Sequence, residues 1–268
     1  MLKNLSVIGV GNMAKAIISG VKKSTLDISK IYLYDINPAQ YEQILDERTF
    51  PCDSVAEAIS KSDCVLLSVK PQNFPELLSE ISALPFCTDK LYISIAAGIT
   101  TDYISKTLNT RNVVRVLPNM PIVISKGVSA ICYNDNVSKE DFELVEAIFN
   151  ACGGVLKIYE KDMNKTIGVT SSSPAYVFKF IKAIYEGALA QGLPEEDLLH
   201  TICNMIIGSA EVIKNGIGTP EGMVKAVASK GGTTERALSV LDENNFEKAI
   251  VDAMKACTER ADELGKIK

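Results

Sequence analysis

An apolar run followed by a glycine-rich turn lies almost at the start of the chain and constrains the fold more than any other feature. Residues 5–8 have a strand pattern and lead directly into Gly9, Gly11 and Ala14, spaced as G-x-G-x-x-A, before an apolar helical pattern. The first glycine permits a tight turn, the second lets the backbone approach a phosphate, and the small third residue brings the helix close to the strand. The free N–H groups of the helix start then face an anion. This pattern predicts the first βαβ unit of a dinucleotide-binding domain.

Length and composition describe a folded protein of about two domains. The chain has 268 residues, of which 47% are hydrophobic and 23% are charged, as in ordinary globular proteins. A net charge of −5 without a basic cluster argues against nucleic acid as a partner. No uncharged run reaches the length of a membrane span, and a strand at the start of the chain is unlike a signal peptide. We therefore expect a cytoplasmic protein with no nucleic-acid and no membrane partner.

Cysteine and histidine usage limits the chemistry. The seven cysteines are scattered without a C-x-x-C pair, which favours reduced and mostly buried thiols. The sequence has no zinc-type ligand spacing, so we expect no metal. The single histidine, His200, lies in an apolar helical pattern, where a packing role is favoured over catalysis. The reaction is therefore expected to proceed without a histidine relay or a metal.

The pattern of secondary structure changes near residue 160. Before this point, β-rich runs alternate with helical segments, which predicts a doubly wound, mainly parallel sheet. The predicted strands are residues 5–8, 31–34, 65–69, 91–96, 113–117, 128–133 and 155–159. Helical patterns alone follow, at residues 174–191, 194–214, 220–228, 234–241 and 246–266. Pro194 suits the first position of its helix. The sequence predicts a dinucleotide-binding domain over 1–160 and an all-helical domain over 161–268.

Two of these helices are too apolar for the surface of a monomer. Residues 176–181 and 202–207 are apolar around most of the helix, so nearly every side needs to be buried. A domain of about a hundred residues has little interior for both, and a second subunit is the simplest cover. We predict an obligate homodimer or a larger assembly of dimers; the alternative is a compact monomeric bundle.

Candidate ligand-binding residues follow several predicted strands. Asp35 ends the second strand, where an acid accepts ribose hydroxyls, repels a 2′-phosphate and so favours NADH. A role as a turn or cap residue beside Asn37 is the alternative. The carboxyl ends of parallel strands share one edge of the sheet, where open α/β folds bind ligands. Candidates at this edge are Val69, Lys70, Pro71, Ala96, Ala97 and Asn119.

A second cluster of small residues lies in the predicted helical domain. Residues 229–234, Ser-Lys-Gly-Gly-Thr-Thr, precede an apolar helical run, so backbone N–H groups and hydroxyls converge at a helix start. Such a nest suits a small carboxylate. Ordinary helix capping by Thr233 or Thr234 is the alternative interpretation.

Taken together, these motifs resemble those of the pyrroline-5-carboxylate reductase family. The glycine turn, the later strand ends, the Ser172–Tyr176 motif and the 229–234 cluster occur in family order along nearly the whole chain. The segment 229–238, which contains this cluster, resembles the signature of the family. The resemblance implies an N-terminal Rossmann-type doubly wound sheet followed by an all-helical dimerisation domain. It also implies the reduction of 1-pyrroline-5-carboxylate to L-proline by hydride transfer from NADPH or NADH, the last step of proline biosynthesis.

The resemblance implies roles for individual residues. The cofactor would be bound by Gly9, Gly11, Asn12, Met13, Ala14, Asp35, Val69, Lys70, Pro71, Ala96, Ala97 and Asn119. The substrate carboxylate and ring nitrogen would be bound by Ser229, Gly232, Thr233 and Thr234. Thr234 is the candidate catalytic residue, as the hydrogen-bond partner or proton donor of the nitrogen. By the same resemblance, this loop would come from the partner subunit.

Three positions depart from the family pattern. Lys230 stands where proline is common, Ser171 replaces a frequent glycine, and Asp35 is an acid where a 2′-phosphate would have to sit.

Two other functions remain open. One is a related imine reductase or β-hydroxyacid dehydrogenase, which would use a lysine such as Lys179 or Lys182. The other is a non-catalytic regulator that binds a dinucleotide.

Overall fold

The computed structural model describes residues 3–133 and 137–266, and the chain folds into two units. The first unit contains the chain up to Ser172 and again from Cys257 onward, and the second is Ser173–Ala256. The described strands all belong to the first unit, and the last of them ends at Lys157. The predicted boundary at residue 160 thus follows the last strand, whereas the two units part after Ser172.

One eight-stranded sheet forms the centre of the first unit. Its strands are β1 (Lys3–Ile8), β2 (Ile28–Tyr34), β3 (Thr49–Pro51), β4 (Cys64–Leu67), β5 (Leu91–Ser94), β6 (Val113–Leu117), β7 (Gly127–Tyr133) and β8 (Gly153–Lys157). They are arranged in the order β3-β2-β1-β4-β5-β6-β7-β8, and β6 and β7 form the antiparallel pair in an otherwise parallel sheet. The predicted doubly wound, mainly parallel sheet is confirmed. Its strand order reverses between β1 and β4, which opens a crevice at the carboxyl ends of these strands.

Helices cover both faces of this sheet and make up the second unit. The helices are α1 (Asn12–Lys23), α2 (Val55–Ser60), α3 (Phe74–Ser82), α4 (Thr101–Leu108), α5 (Lys139–Asn150), α6 (Met163–Thr166), α7 (Ser173–Ala190), α8 (Leu198–Lys214), α9 (Pro220–Val227), α10 (Thr233–Glu243) and α11 (Phe246–Lys266). In β1, Leu5 and Val7 join the core formed with α1 and α5, while Ile8 joins the core formed with α2, α3 and α4. Because both faces are covered, all four residues of β4 are buried and apolar.

The helices of the second unit expose much of their apolar surface within the single chain. None of the 18 residues of α7 is buried, and in α8 only Ile202 is buried. Large side chains remain open, with Phe178 at 50% and Ile207 at 54% exposure. Surface of this kind marks an interaction site in a stable protein. Across residues 3–133 and 137–266, no helix combines the length and apolarity that crossing a bilayer requires.

Some predicted element boundaries are wrong. The helix predicted from Pro194 begins at Leu198, because Asp197 has a left-handed φ of 56°, which interrupts the helical backbone. The strands predicted to reach residues 69 and 96 end earlier, at Leu67 and Ser94, so that their last predicted residues belong to loops. The three-residue strand β3 has too short a pattern to stand out in the sequence.

A buried arginine links the sheet to the elements that follow it. The Nη2 of Arg115 on β6 donates to Asn164 Oδ1 at 3.1 Å, and its Nη1 lies 3.7 Å from Glu160 Oε1. Glu160 in turn accepts the Thr101 N–H at 2.7 Å, and Asn164 donates to Asp262 Oδ1 at 2.7 Å. Burial lowers the pKa of Arg115, and the Glu160 carboxylate acts in the opposite direction. The network therefore ties β6 to α4, α6 and the end of α11.

Replacing this arginine is expected to destabilise the first unit. Arg115→Met keeps the apolar stem but leaves Glu160 without its buried cation, so the free energy of unfolding should fall by about 3 kcal/mol. Urea unfolding at a fixed protein concentration measures the change. Arg260→Met is the control, because Arg260 pairs with Glu263 on the surface and should cost less than about 1 kcal/mol. Equal losses in the two variants would contradict the role of the buried network.

Candidate functional site

The turn between β1 and α1 lies at the crevice where the strand order reverses. Gly9 has a φ of +89°, and a Cβ at this position would lie 2.9 Å from the Ser68 carbonyl oxygen, so a side chain does not fit. Gly11 is the N-cap of α1, and a Cβ there would meet no atom within 4 Å. The packing of the protein therefore does not require glycine at residue 11. A Cβ at residue 11 would, however, stand in the way of a phosphate that approaches the start of the helix.

Asp35 holds this turn from the end of β2. Its Oδ2 accepts the Val10 N–H at 2.7 Å, and its Oδ1 accepts the Asn37 N–H at 2.9 Å. The Gly9 N–H donates to the neighbouring Tyr34 carbonyl at 2.8 Å. The structure thus gives Asp35 the turn-forming contacts that the sequence offered as its alternative role. Because a carboxylate has about four acceptor positions, Asp35 keeps capacity for ribose hydroxyls.

Two cavities lie at this edge of the sheet and share part of their walls. The larger, of about 700 Å³, is lined by six predicted cofactor residues, namely Gly9, Gly11, Asn12, Asp35, Val69 and Lys70. The smaller, of about 300 Å³, is lined by six as well, namely Met13, Val69, Lys70, Pro71, Ala96 and Ala97. Val69 and Lys70, just after β4, contribute to both cavities. The crevice therefore brings together the residues that follow β1, β2, β4 and β5.

Two predicted cofactor residues do not line these cavities. Ala14 is fully buried in the core under α1, as a close packing of helix and sheet requires. Asn119 is buried after β6, and both ends of its amide are bonded to backbone. Its Nδ2 donates to the Thr170 carbonyl at 2.9 Å, and its Oδ1 accepts the Val128 N–H at 2.8 Å. Asn119 thus joins three segments of chain next to the smaller cavity.

The Thr170 carbonyl needs this amide because of a proline. Residues Ile167–Ser171 form a π-helix, and in a continuous α-helix the Thr170 carbonyl would accept from residue 174. That residue is Pro174, which has no N–H. The Asn119 amide supplies the missing donor and so fixes the π-helix beside the cavity.

The structure adds lining residues that the sequence did not indicate. Ile167 and Ser171 of the π-helix line the smaller cavity. A short π-helix has no recognisable hydrophobic periodicity, so the sequence did not indicate these residues. Glu76 and Glu80 of α3 line the larger cavity. Their spacing of four places them on one face of a helix, and this signal was available in the sequence.

The 229–234 loop lies in the second unit and leads into α10. Gly232 is the N-cap of this helix, and no side chain caps it, so neither threonine of the loop has the capping role. The Gly231 N–H donates to Glu235 Oε2 at 2.7 Å, and the Gly232 N–H donates to the Ser229 carbonyl at 2.9 Å. The N–H groups of the first helical turn have no acceptor within the helix. Together with the loop hydroxyls, they can receive an anion.

Family models match both parts of the chain. Residues 160–264 match the model described as pyrroline-5-carboxylate reductase dimerisation. Residues 4–98 match the model described as NADP oxidoreductase coenzyme F420-dependent. The N-terminal sheet and the helical region therefore correspond to a nucleotide-binding oxidoreductase domain and a dimerisation domain.

Several known proteins match this chain over nearly its full length. The pyrroline-5-carboxylate reductase of Escherichia coli strain K12 is 33% identical over 269 residues, which cover 99% of this chain and 100% of that protein. The crystal structure of Plasmodium falciparum pyrroline carboxylate reductase with NADP bound has a TM-score of 0.89 and 27% identity, and the match covers 98% of both chains. The Coxiella burnetii pyrroline-5-carboxylate reductase has a TM-score of 0.88 and 28% identity, over 99% of this chain and 100% of that one. The chain belongs to the pyrroline-5-carboxylate reductase family.

Proposed function

We propose that this chain reduces 1-pyrroline-5-carboxylate to L-proline with NADPH or NADH, the last step of proline biosynthesis. The observation that carries the proposal is the crevice between β1 and β4, with its open cradle at Gly11, in a chain whose full length matches this family. Proline formation from 1-pyrroline-5-carboxylate and reduced cofactor by the purified protein tests it. A protein that binds the cofactor but forms no proline would instead support a non-catalytic regulator.

The residues of the crevice fit a dinucleotide. The start of α1 presents N–H groups and the positive end of the helix dipole to a pyrophosphate, and Gly11 leaves room for its approach. Lys70 contributes a positive charge at the shared wall of the two cavities. The smaller cavity has mainly apolar walls that include Ala96 and Ala97, which suit a planar ring. When bound, the cofactor supplies a hydride from its nicotinamide ring.

The 229–234 loop is proposed to bind the substrate. Ser229 and Thr233 receive the carboxylate at the uncapped start of α10, where the helix dipole favours negative charge. Gly232 makes room for the Ser229 hydroxyl, since a Cβ at Gly232 would lie 2.5 Å from Ser229 Oγ. The Thr234 hydroxyl hydrogen-bonds the ring nitrogen. A protonated imine already carries the positive charge that makes its carbon electrophilic, so holding it in place is the main task of the protein. A threonine hydroxyl is a weak acid, and its contribution is orientation more than proton transfer.

We propose that this loop serves the cofactor crevice of a partner subunit in a homodimer. The exposed apolar side chains of α7 and α8 support the dimer, because a second copy would remove them from water. The match of residues 160–264 to a dimerisation domain supports it as well. We further propose that the dimer, or a larger assembly of dimers, works in the cytoplasm.

A catalytic lysine, as in a β-hydroxyacid dehydrogenase, receives no support from the structure. Lys182 lies 3.2 Å from Glu186 on the same helix, and both side chains are largely exposed. Lys179 is exposed too. Neither lysine lines the two cavities at the carboxyl ends of the strands.

Removing the Thr234 hydroxyl is expected to impair turnover without impairing cofactor binding. Thr234→Ala should lower kcat/KM for 1-pyrroline-5-carboxylate by about 10- to 100-fold, because a hydrogen bond to a charged group is lost. The Kd of the dinucleotide should stay within about twofold of the wild type, since the cofactor crevice is untouched. Steady-state kinetics and calorimetry measure the two quantities.

The matched control for this variant is Ser239→Ala on the same helix. The Ser239 hydroxyl donates to the Glu235 carbonyl and lies outside the loop. Wild-type turnover in Thr234→Ala would refute the role of the hydroxyl, and an equal loss in Ser239→Ala would assign the effect to the helix as a whole.

Asp35 is proposed to set the cofactor preference, with both cofactors used and NADH favoured. Asp35→Asn removes the negative charge but keeps one oxygen as an acceptor for the turn. Without the charge, repulsion of a 2′-phosphate falls, and kcat/KM for NADPH should rise about tenfold relative to that for NADH. Glu42→Gln is the control, because it removes an exposed acid from a nearby turn outside the crevice. An unchanged ratio of the two cofactors in Asp35→Asn would show that Asp35 serves the turn alone.

A further inference from the structure

Ser171 has a buried hydroxyl that the fold does not use. Its Oγ is buried, and within residues 3–133 and 137–266 it has no hydrogen-bond partner. The same residue lines the smaller cavity. A buried hydroxyl without a partner is unfavourable for the folded protein unless a ligand supplies one.

The π-helix holds Ser171 in place. The Ser172 N–H donates to the Ile167 carbonyl at 2.8 Å, which closes the wide turn around Ser171. The Asn119 amide holds the preceding Thr170 carbonyl at 2.9 Å. Hydrogen bonds therefore hold a backbone group of each neighbour of Ser171. The position of the Ser171 hydroxyl then depends on one side-chain torsion, χ1.

The cavity beside Ser171 suits a planar ring with one neutral polar group. Its walls are mainly apolar, and its polar side chains besides Ser171 are those of Ser68 and Lys70. Lys70 is exposed and also lines the larger cavity, where the phosphates are expected. The Ser171 hydroxyl is uncharged and both donates and accepts, which matches an amide better than a carboxylate.

Resting on the proposed function, we propose that the Ser171 hydroxyl hydrogen-bonds the carboxamide of the nicotinamide ring. The bond makes Ser171 a positioning residue that orients the ring within the smaller cavity. It adds binding energy only for ligands that carry the nicotinamide group.

The test compares NADH with ADP-ribose, which lacks the nicotinamide ring, by calorimetry. Ser171→Ala should weaken the binding of NADH by about 3- to 10-fold, as expected for one neutral hydrogen bond, and leave that of ADP-ribose within twofold. Ser171→Gly should behave as Ser171→Ala does, because both lack the hydroxyl. Ser172→Ala is the matched control, since its hydroxyl contacts Cys257 Sγ at 3.1 Å and should leave both affinities unchanged.

Each other outcome has a distinct meaning. Wild-type affinity for NADH in Ser171→Ala would overturn the inference and leave the proposed function intact. Equal weakening of NADH and ADP-ribose would also overturn it, because the substitution would then have deformed the crevice. A change confined to the KM for 1-pyrroline-5-carboxylate would assign the hydroxyl to the substrate and reject the carboxamide. A wild-type protein that binds neither NADH nor ADP-ribose would defeat the proposed function itself.

Discussion

The close approach of two turns is the constraint on which the crevice at the carboxyl ends of β1 and β4 depends. Gly9 follows β1 and Ser68 follows β4, and a Cβ on Gly9 would lie 2.9 Å from the Ser68 carbonyl oxygen. Any side chain at Gly9 would force these turns apart. From the other side, Asp35 holds the Val10 N–H, so the end of β2 fixes the same turn. The position of the start of α1, and of the cradle at Gly11, follows from these contacts.

The sequence predicted this part of the site because each motif residue has a local backbone reason to be there. Glycine at residue 9 is required by a positive φ, and glycine at residue 11 leaves the start of α1 open, because a Cβ there would meet no atom within 4 Å. The central strands could also be predicted from the sequence. The strands β4 and β6 are buried along their whole length and consist mainly of apolar residues such as valine and leucine. Local chemistry was therefore enough to predict most of the sheet and most of the residues that line the crevice.

The parts that could not be predicted depend on contacts between distant residues. The π-helix that carries Ser171 is held by a bond from Asn119 to Thr170, which lie 51 residues apart. The sequence predicts Asn119 as a cofactor residue but gives no sign that its amide is bonded to backbone at both ends. The start of α8 was missed for a different reason. Pro194 favours a helix start, but the left-handed Asp197 delays the helix to Leu198.

The helical unit is the basis for the proposal that the function requires more than one chain. Its two most apolar helices leave large side chains exposed, and the loop proposed to bind the substrate belongs to the same unit. Sedimentation velocity across a dilution series, with proline formation measured on the same samples, tests this account most directly. If the substrate loop serves a partner subunit, the sedimenting species contains two chains or a multiple of two. Activity per chain then falls as single chains appear. Single chains that retain full activity at every dilution would contradict it.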